Sequence, residues 1–185
     1  MIETIQVWEA VMSMRHNRLK NYIAPGLHSS LIGGGEHGKV RLFEAERMTR
    51  DLITPHSHRF SFTSLVLYGE VTNTIYEPSL PGAYDVEPFI RSTVTQVCGA
   101  GGLMEFKHTR EAEPRHYRRR ATTYKAGQTY LLRHDEVHSI VFEKNTKVLF
   151  FEMPQIQDWD WMLEPYVDGK LVPTFKTEPW MFGKE

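Results

Sequence analysis

The sequence predicts an all-β protein made of antiparallel strands. From residue 40 onward, runs such as "KVRLFEAE", "FSFTSLVLYG" and "EVTNTIYE" combine alternating and apolar stretches, with Gly, Pro, Asn or Asp between most of them. Many short strands separated by turn residues are typical of an antiparallel sandwich or barrel, and not of alternating β–α units. The chain has 185 residues, of which 41% are hydrophobic, which is enough for one domain with a core.

The two ends differ from this strand-rich middle. Apolar residues at near-helical spacing between residues 2 and 22 predict one amphipathic helix, which Pro25 and Gly26 would end. The aromatic tail after Pro154 is expected to pack on the barrel or on a second subunit, and its "VDGK" predicts a hairpin turn. The predicted organisation is an N-terminal helix and turn over 1–38, a barrel over 39–154 and a C-terminal arm over 155–185.

The composition gives no indication of nucleic-acid binding, membrane binding or secretion. The formal net charge is −1 and the pI is about 6.8, which gives no reason to expect nucleic-acid or membrane-surface binding. The single cysteine, Cys98, cannot form an internal disulfide, and the first residues lack the pattern of a signal peptide. We therefore expect a cytoplasmic protein that binds neither nucleic acid nor membrane.

Three histidines stand out within strand-like segments. His56 and His58 are two positions apart, so in a strand both side chains point to the same face. His138 enters another apolar strand just after an acidic turn, and it could supply a third nitrogen ligand to a metal ion. The alternative for each residue alone is a hydrogen-bonded histidine of the core.

The segments around these histidines resemble the two motifs of the cupin superfamily. "PHSHRFSFTSLVLYG" follows the first motif, G-x5-H-x-H-x3-4-E-x6-G, and "GQTYLLRHDEVH" follows the second, G-x5-P-x-G-x2-H-x3-N. The matching positions are His56, His58, Gly69, Gly127 and His138. The departures are Arg50, Phe62, Arg133, Asp135 and Phe142. The resemblance covers about residues 40–153 and implies a cupin-type antiparallel β-barrel, or jelly roll, with metal ligands His56, His58 and His138.

One of these departures affects the charge of the predicted metal site. Phe62 stands where many cupins have a metal-binding Glu, and three neutral imidazoles would leave a divalent ion with its full charge. This pattern is similar to the thiol dioxygenase branch of the cupins, which implies Fe(II), O₂ and a small anionic substrate. Zn, Ni or Mn would give the same sequence pattern.

Four residues are candidates for substrate binding. Phe60 and Phe62 share the predicted inward face with the histidines, and Tyr130 could line the cavity mouth as a proton donor. Arg118 belongs to the basic run "RHYRRR" and could bind a substrate carboxylate. The alternative for this run is a solvated edge strand.

The sequence thus predicts a mononuclear metal-dependent oxidoreductase, of the Fe(II) dioxygenase type, with a small-molecule substrate and a homodimer as its possible assembly. The alternative is a non-catalytic cupin that binds a small molecule or has a structural role. Metal content would separate the oxidoreductase from a metal-free structural protein.

Overall fold

The computed structural model describes residues 16–50, 52–98 and 104–172, and the prediction of an all-β fold is confirmed there. Every regular element of these ranges is a strand. None of the described residues belongs to a helix long and apolar enough to cross a membrane. The strands are β1 (His16–Leu19), β2 (Leu27–Gly35), β3 (Gly38–Ala45), β4 (Phe62–Tyr68), β5 (Glu70–Ser79), β6 (Val86–Cys98), β7 (Met104–Arg110), β8 (Arg115–Lys125), β9 (Thr129–Leu132), β10 (Val137–Phe142), β11 (Lys147–Glu152), β12 (Trp159–Val167) and β13 (Lys170–Leu171).

The strands form two antiparallel sheets. The first has six strands in the order β1-β2-β3-β11-β4-β9, and the second has seven, with β10-β5-β8-β6-β12-β13 in a row and β7 paired to β6. A short extended segment around His56 lies beside β10. Eight elements of the two sheets can be numbered 1 to 8 along the chain: β3, this segment, β4, β5, β8, β9, β10 and β11. In this numbering, the first sheet contains the order 1-8-3-6 and the second contains the order 2-7-4-5. This is the order of a jelly roll.

The segment around His56 also bridges two distant parts of the second sheet. His56 pairs antiparallel with His138 of β10 on one side and with Met162 of β12 on the other. The amide N–H of Ser57 donates to the carbonyl of Trp161, and Ser57 Oγ accepts from the N–H of Trp161, both at 2.8 Å. These bonds fix the position of the histidine segment from both sides.

The main core fills the space between the two sheets. Its fully buried members include Phe62, Val66, Val71, Leu132 and Val148. A second, smaller cluster lies on the opposite face of the seven-stranded sheet and contains Tyr76, Phe89, Tyr117, Val137 and Leu163. The sheet therefore has an inner face toward the main core and an outer face with its own aromatic cluster.

The described parts of both chain ends join the two sheets. The predicted helix over residues 2–22 is wrong for its last part, because His16–Leu19 is strand β1 and pairs with β2; residues 1–15 lie outside the described residues. In the predicted C-terminal arm, β12 is a strand of the second sheet, paired with β6. The turn in "VDGK" is present, with positive φ at Asp168 and Gly169.

Candidate metal site

The three histidines come from two neighbouring segments of the second sheet. His56 and His138 lie opposite each other, and their backbones exchange hydrogen bonds of 2.8 and 2.9 Å. Directly opposed residues of antiparallel strands present their side chains on the same face, and His58 follows His56 by two positions. The pairing therefore brings the three imidazoles together at the inner face.

The three imidazoles form a compact group. The nitrogen atoms that they offer lie within 4.8 Å of one another, and Nε2 of His58 is 2.9 Å from Nε2 of His138. Among the described residues, no carboxylate or thiol joins this group at such distances. His138 is buried, whereas His56 and His58 are partly exposed. The group thus offers three nitrogen ligands and is open on one side.

Two hydrogen bonds determine which nitrogen of His56 and His138 is available. Nδ1 of His138 lies 2.6 Å from Oδ1 of Asn73, and Nδ1 of His56 lies 2.7 Å from the carbonyl oxygen of Thr54. Because both partners are acceptors, each Nδ1 carries the proton and donates it. Nε2 of both rings then keeps its lone pair, which is the form of imidazole that binds a metal.

Electrostatics favours the neutral form of all three rings. Burial lowers the pKa of His56 below its ordinary value, and it lowers the pKa of His58 and His138 much further. For His58, the charges of the two other histidines and of Arg59 act in the same direction. The three rings are therefore uncharged at neutral pH.

Phenylalanine rings form the apolar side of the site. The Phe62 ring centroid lies 4.8 Å from that of His58 and 5.7 Å from that of His138, and the side chain is buried. Phe60 lies 5.4 Å from His58, and Phe150 packs 4.2 Å from Phe62. Phe60 and Phe62 therefore lie against the histidines, on the inner face predicted for them.

The other two predicted substrate residues lie elsewhere. Tyr130 is buried in the main core, where its ring is 6.3 Å from Phe62, and burial raises its pKa. Arg118 is exposed on β8. In the same basic run, Arg119 lines a cleft on the outer face of the sheet, where it pairs with Glu87. Neither Tyr130 nor Arg118 has a contact with the histidines in the described part of the chain.

Sequence analysis did not single out three polar residues of this region. Asn73 holds His138, as described above. Arg59 donates from Nη1 to Gln96 Oε1, and its Nε lies 3.6 Å from Oδ2 of Asp160. Burial raises the pKa of Asp160 to about 6, against the opposing effect of the Arg59 charge. The position of Arg59 directly after His58 was the only local signal for this group.

Comparisons with known proteins give distant similarities of fold. No family model matches the chain, and no curated protein matches it. Among solved structures, 68 chains match. Hydroquinone 1,2-dioxygenase from Sphingomonas sp. TTNP3 matches with 13% identity and a TM-score of 0.41, over 68% of this chain and 64% of that one. This chain therefore spans less than two thirds of that dioxygenase.

Two further structures illustrate the range of matches. An RmlC-like cupin from Shewanella frigidimarina NCIMB 400 has 14% identity and a TM-score of 0.37, over 69% of this chain and 77% of that one. The nucleoside dehydratase Pac13 has 11% identity and a TM-score of 0.45, over 89% and 90% of the two chains. Similarities at this level do not identify a reaction, a metal or a substrate for this chain.

Proposed function

We propose that His56, His58 and His138 bind one divalent metal ion and that the protein is a metal-dependent oxidoreductase. The proposed type is an Fe(II) dioxygenase similar to the thiol dioxygenases of the cupin superfamily, with O₂ and a small anionic molecule as substrates. The observation that carries the proposal is the convergence of three neutral imidazoles whose nitrogen atoms lie within 4.8 Å of one another.

The donor set fits a first-row transition metal. Imidazole nitrogen is a suitable ligand for Fe, Zn and Ni, and the hydrogen bonds to Asn73 and Thr54 orient two of the rings as the partners of metal-binding histidines do. His58 and His138 would each offer Nε2 to the ion, and these two atoms are 2.9 Å apart. The proposed metal is Fe(II), with Zn, Ni or Mn as the alternatives.

The protein would contribute orientation, charge and exclusion of water. A bound ferrous ion would bring substrate and O₂ together and allow electron transfer between them. Because the described group contains no carboxylate, the ion would keep its full positive charge and favour an anionic substrate. Phe60 and Phe62 would keep water away from one side of the site.

Three parts of the proposal rest on composition and sequence pattern alone. They are a cytoplasmic location, the lack of nucleic-acid and membrane partners, and assembly as a homodimer. Light scattering of the purified protein would test the homodimer.

Elemental analysis of protein purified without a His-tag or chelator tests the metal site. We expect about one transition-metal ion per chain, as a mononuclear site requires. If iron is found, O₂ uptake with small thiols and other small anions tests the reaction. Metal without O₂ uptake would support the alternative of a non-catalytic binding protein. No metal, even after anaerobic reconstitution with Fe(II), would overturn the proposal and favour a structural role.

A further inference from the structure

The second sheet curls around the aromatic cluster of its outer face. Tyr76, Phe89, Tyr117, Val137 and Leu163 belong to five different strands, β5, β6, β8, β10 and β12, and they pack in one group. The Phe89 ring lies 5.5 Å from that of Tyr76 and 5.9 Å from that of Tyr117, in edge-to-face contacts. The histidine segment bridges β10 and β12, which brings the two sides of this part of the sheet together. The outer face is therefore concave here.

A cleft of about 250 Å³ opens beside this cluster. Its apolar walls include Pro55, Phe89, Val141 and Pro165. Ser139 also lines the cleft, and because side chains alternate along β10, it points away from the face that carries His138. Sites for drug-sized ligands measure about 300–1,000 Å³. This cleft is thus separate from the histidine group and suits a molecule about the size of an amino acid.

Two opposite charges lie side by side in the lining of this cleft. Nη2 of Arg119 donates a hydrogen bond to Oε1 of Glu87, and both side chains are about half exposed. Because solvent screens such a pair, a ligand can open it at little cost. Two hydroxyl groups of the cleft, those of Tyr76 and Ser139, are hydrogen-bonded to each other at 3.2 Å. The charged groups that the described part of the chain presents to a ligand here are therefore one cation and one anion.

We propose that this cleft binds an apolar α-amino acid in its zwitterionic form. The carboxylate of the ligand pairs with Arg119, its ammonium group pairs with Glu87, and its side chain lies against the apolar walls. A ligand with a single charge would leave either Arg119 or Glu87 without a partner, whereas a zwitterion satisfies both. The inference goes beyond the proposed function and does not depend on a metal ion at the histidines.

Isothermal titration calorimetry with L-leucine and two derivatives tests the charge requirement. N-acetyl-L-leucine lacks the ammonium group, and L-leucinamide lacks the carboxylate. The wild type is expected to bind L-leucine at least about tenfold more tightly than either derivative, because each derivative loses a charge-assisted hydrogen bond. Glycine should also bind at least about tenfold more weakly than L-leucine, because it has no side chain to bury in the cleft.

Two variants assign the charges of the ligand to their partners. Arg119→Gln should lower the affinity for L-leucine to that for L-leucinamide, and Glu87→Gln should lower it to that for N-acetyl-L-leucine. The controls are Arg120→Gln and Glu77→Gln, which open an exposed ion pair of 3.2 Å between β8 and β5 and should keep the wild-type preferences. A pair that only supports the fold would not give a selectivity that depends on which charge the ligand lacks.

The design distinguishes failure of this inference from failure of the proposed function. Urea unfolding checks that each variant folds, and the titrations are made on protein as purified and on metal-free protein. Both preparations should bind L-leucine with the same affinity, because the cleft and the histidines lie on opposite faces of the sheet. If either derivative binds as tightly as L-leucine, or L-leucine does not bind, the inference is overturned. Lack of metal in the purified protein would overturn the proposed function only.

Discussion

Strands β5 and β10 have an inner and an outer face, and the side chains on the two faces have different roles. On the inner face, Asn73 holds the buried His138. On the outer face, Tyr76 and Ser139 are joined by a hydrogen bond of 3.2 Å and line a cleft of about 250 Å³. Because side chains alternate along a strand, residues one position apart belong to different environments. Neighbouring residues are therefore matched controls for one another.

The inner and outer faces of the second sheet also differ in how tightly their polar groups are held. The inner bond between His138 and Asn73 is short, at 2.6 Å, and buried. The outer ion pair between Arg119 and Glu87 is about half exposed, where solvent screening makes such pairs weak. The inner face thus specifies ring orientation, whereas the outer face is held together mainly by its aromatic cluster.

The largest effect is expected for His138→Ala. Removing one of three ligands should reduce metal content from about one ion per chain to almost none. Ser139→Ala, on the outer face of the same strand, should keep the wild-type content. Elemental analysis gives the metal content, and circular dichroism checks that both variants fold. Stoichiometric metal in His138→Ala would mean that the ligand set is wrong.

Two buried phenylalanines allow a comparison of stability. Phe62 is 1% exposed on the inner face and Phe89 is 3% exposed on the outer face. Replacing either by Ala should lower the free energy of unfolding by about 3–5 kcal/mol, because a large cavity is left in a packed cluster. Urea unfolding measures this loss. Of the two variants, only Phe62→Ala should also change metal affinity, and an equal change in Phe89→Ala would contradict the division between faces.

A smaller effect is expected for the residue that orients His138. Asn73→Ala removes the acceptor for Nδ1, and loss of such a partner typically weakens metal binding about 10- to 100-fold. Thr74→Ala, its neighbour on the outer face, should leave the affinity unchanged. Competition with a chelator of known affinity gives both values. If Asn73→Ala binds metal as tightly as the wild type, ring orientation does not limit affinity.

The inner face of the second sheet could be predicted from the sequence more fully than the chain ends. The spacing of His56 and His58 and the cupin motifs indicated the three-histidine group, and alternation placed Phe62 beside it. Apolar spacing over residues 2–22 suggested a helix, but pairing with β2 decides the structure of residues 16–19. This pairing is set by tertiary contacts, which single-residue patterns do not contain.

Arg59 shows why part of the site could not be predicted. Strict alternation would place Arg59 on the face opposite His58, but the extended segment ends there and the chain bends. Its guanidinium then meets Asp160 and Gln96, which are far away in sequence. Only the long-range bridge between His56 and β12 brings these residues together.

The smallest effect concerns Asp160 and depends on pH. Burial raises its folded-state pKa to about 6, above the ordinary value of 3.8. A raised pKa means that this carboxyl favours the folded state most below pH 3.8 and disfavours it increasingly as the pH rises through 6. Asp160→Asn removes this effect, so its stability relative to the wild type should rise by about 1–2 kcal/mol between pH 5 and 7.5.

Urea unfolding of both proteins at the two pH values measures this change. The pKa values of the three histidines are lowered by burial, which changes stability with pH in the opposite direction. Because they are present in both proteins, they cancel in the difference between variant and wild type. A difference that stays constant from pH 5 to 7.5 would mean that the Asp160 carboxylate is as well stabilised as one in water.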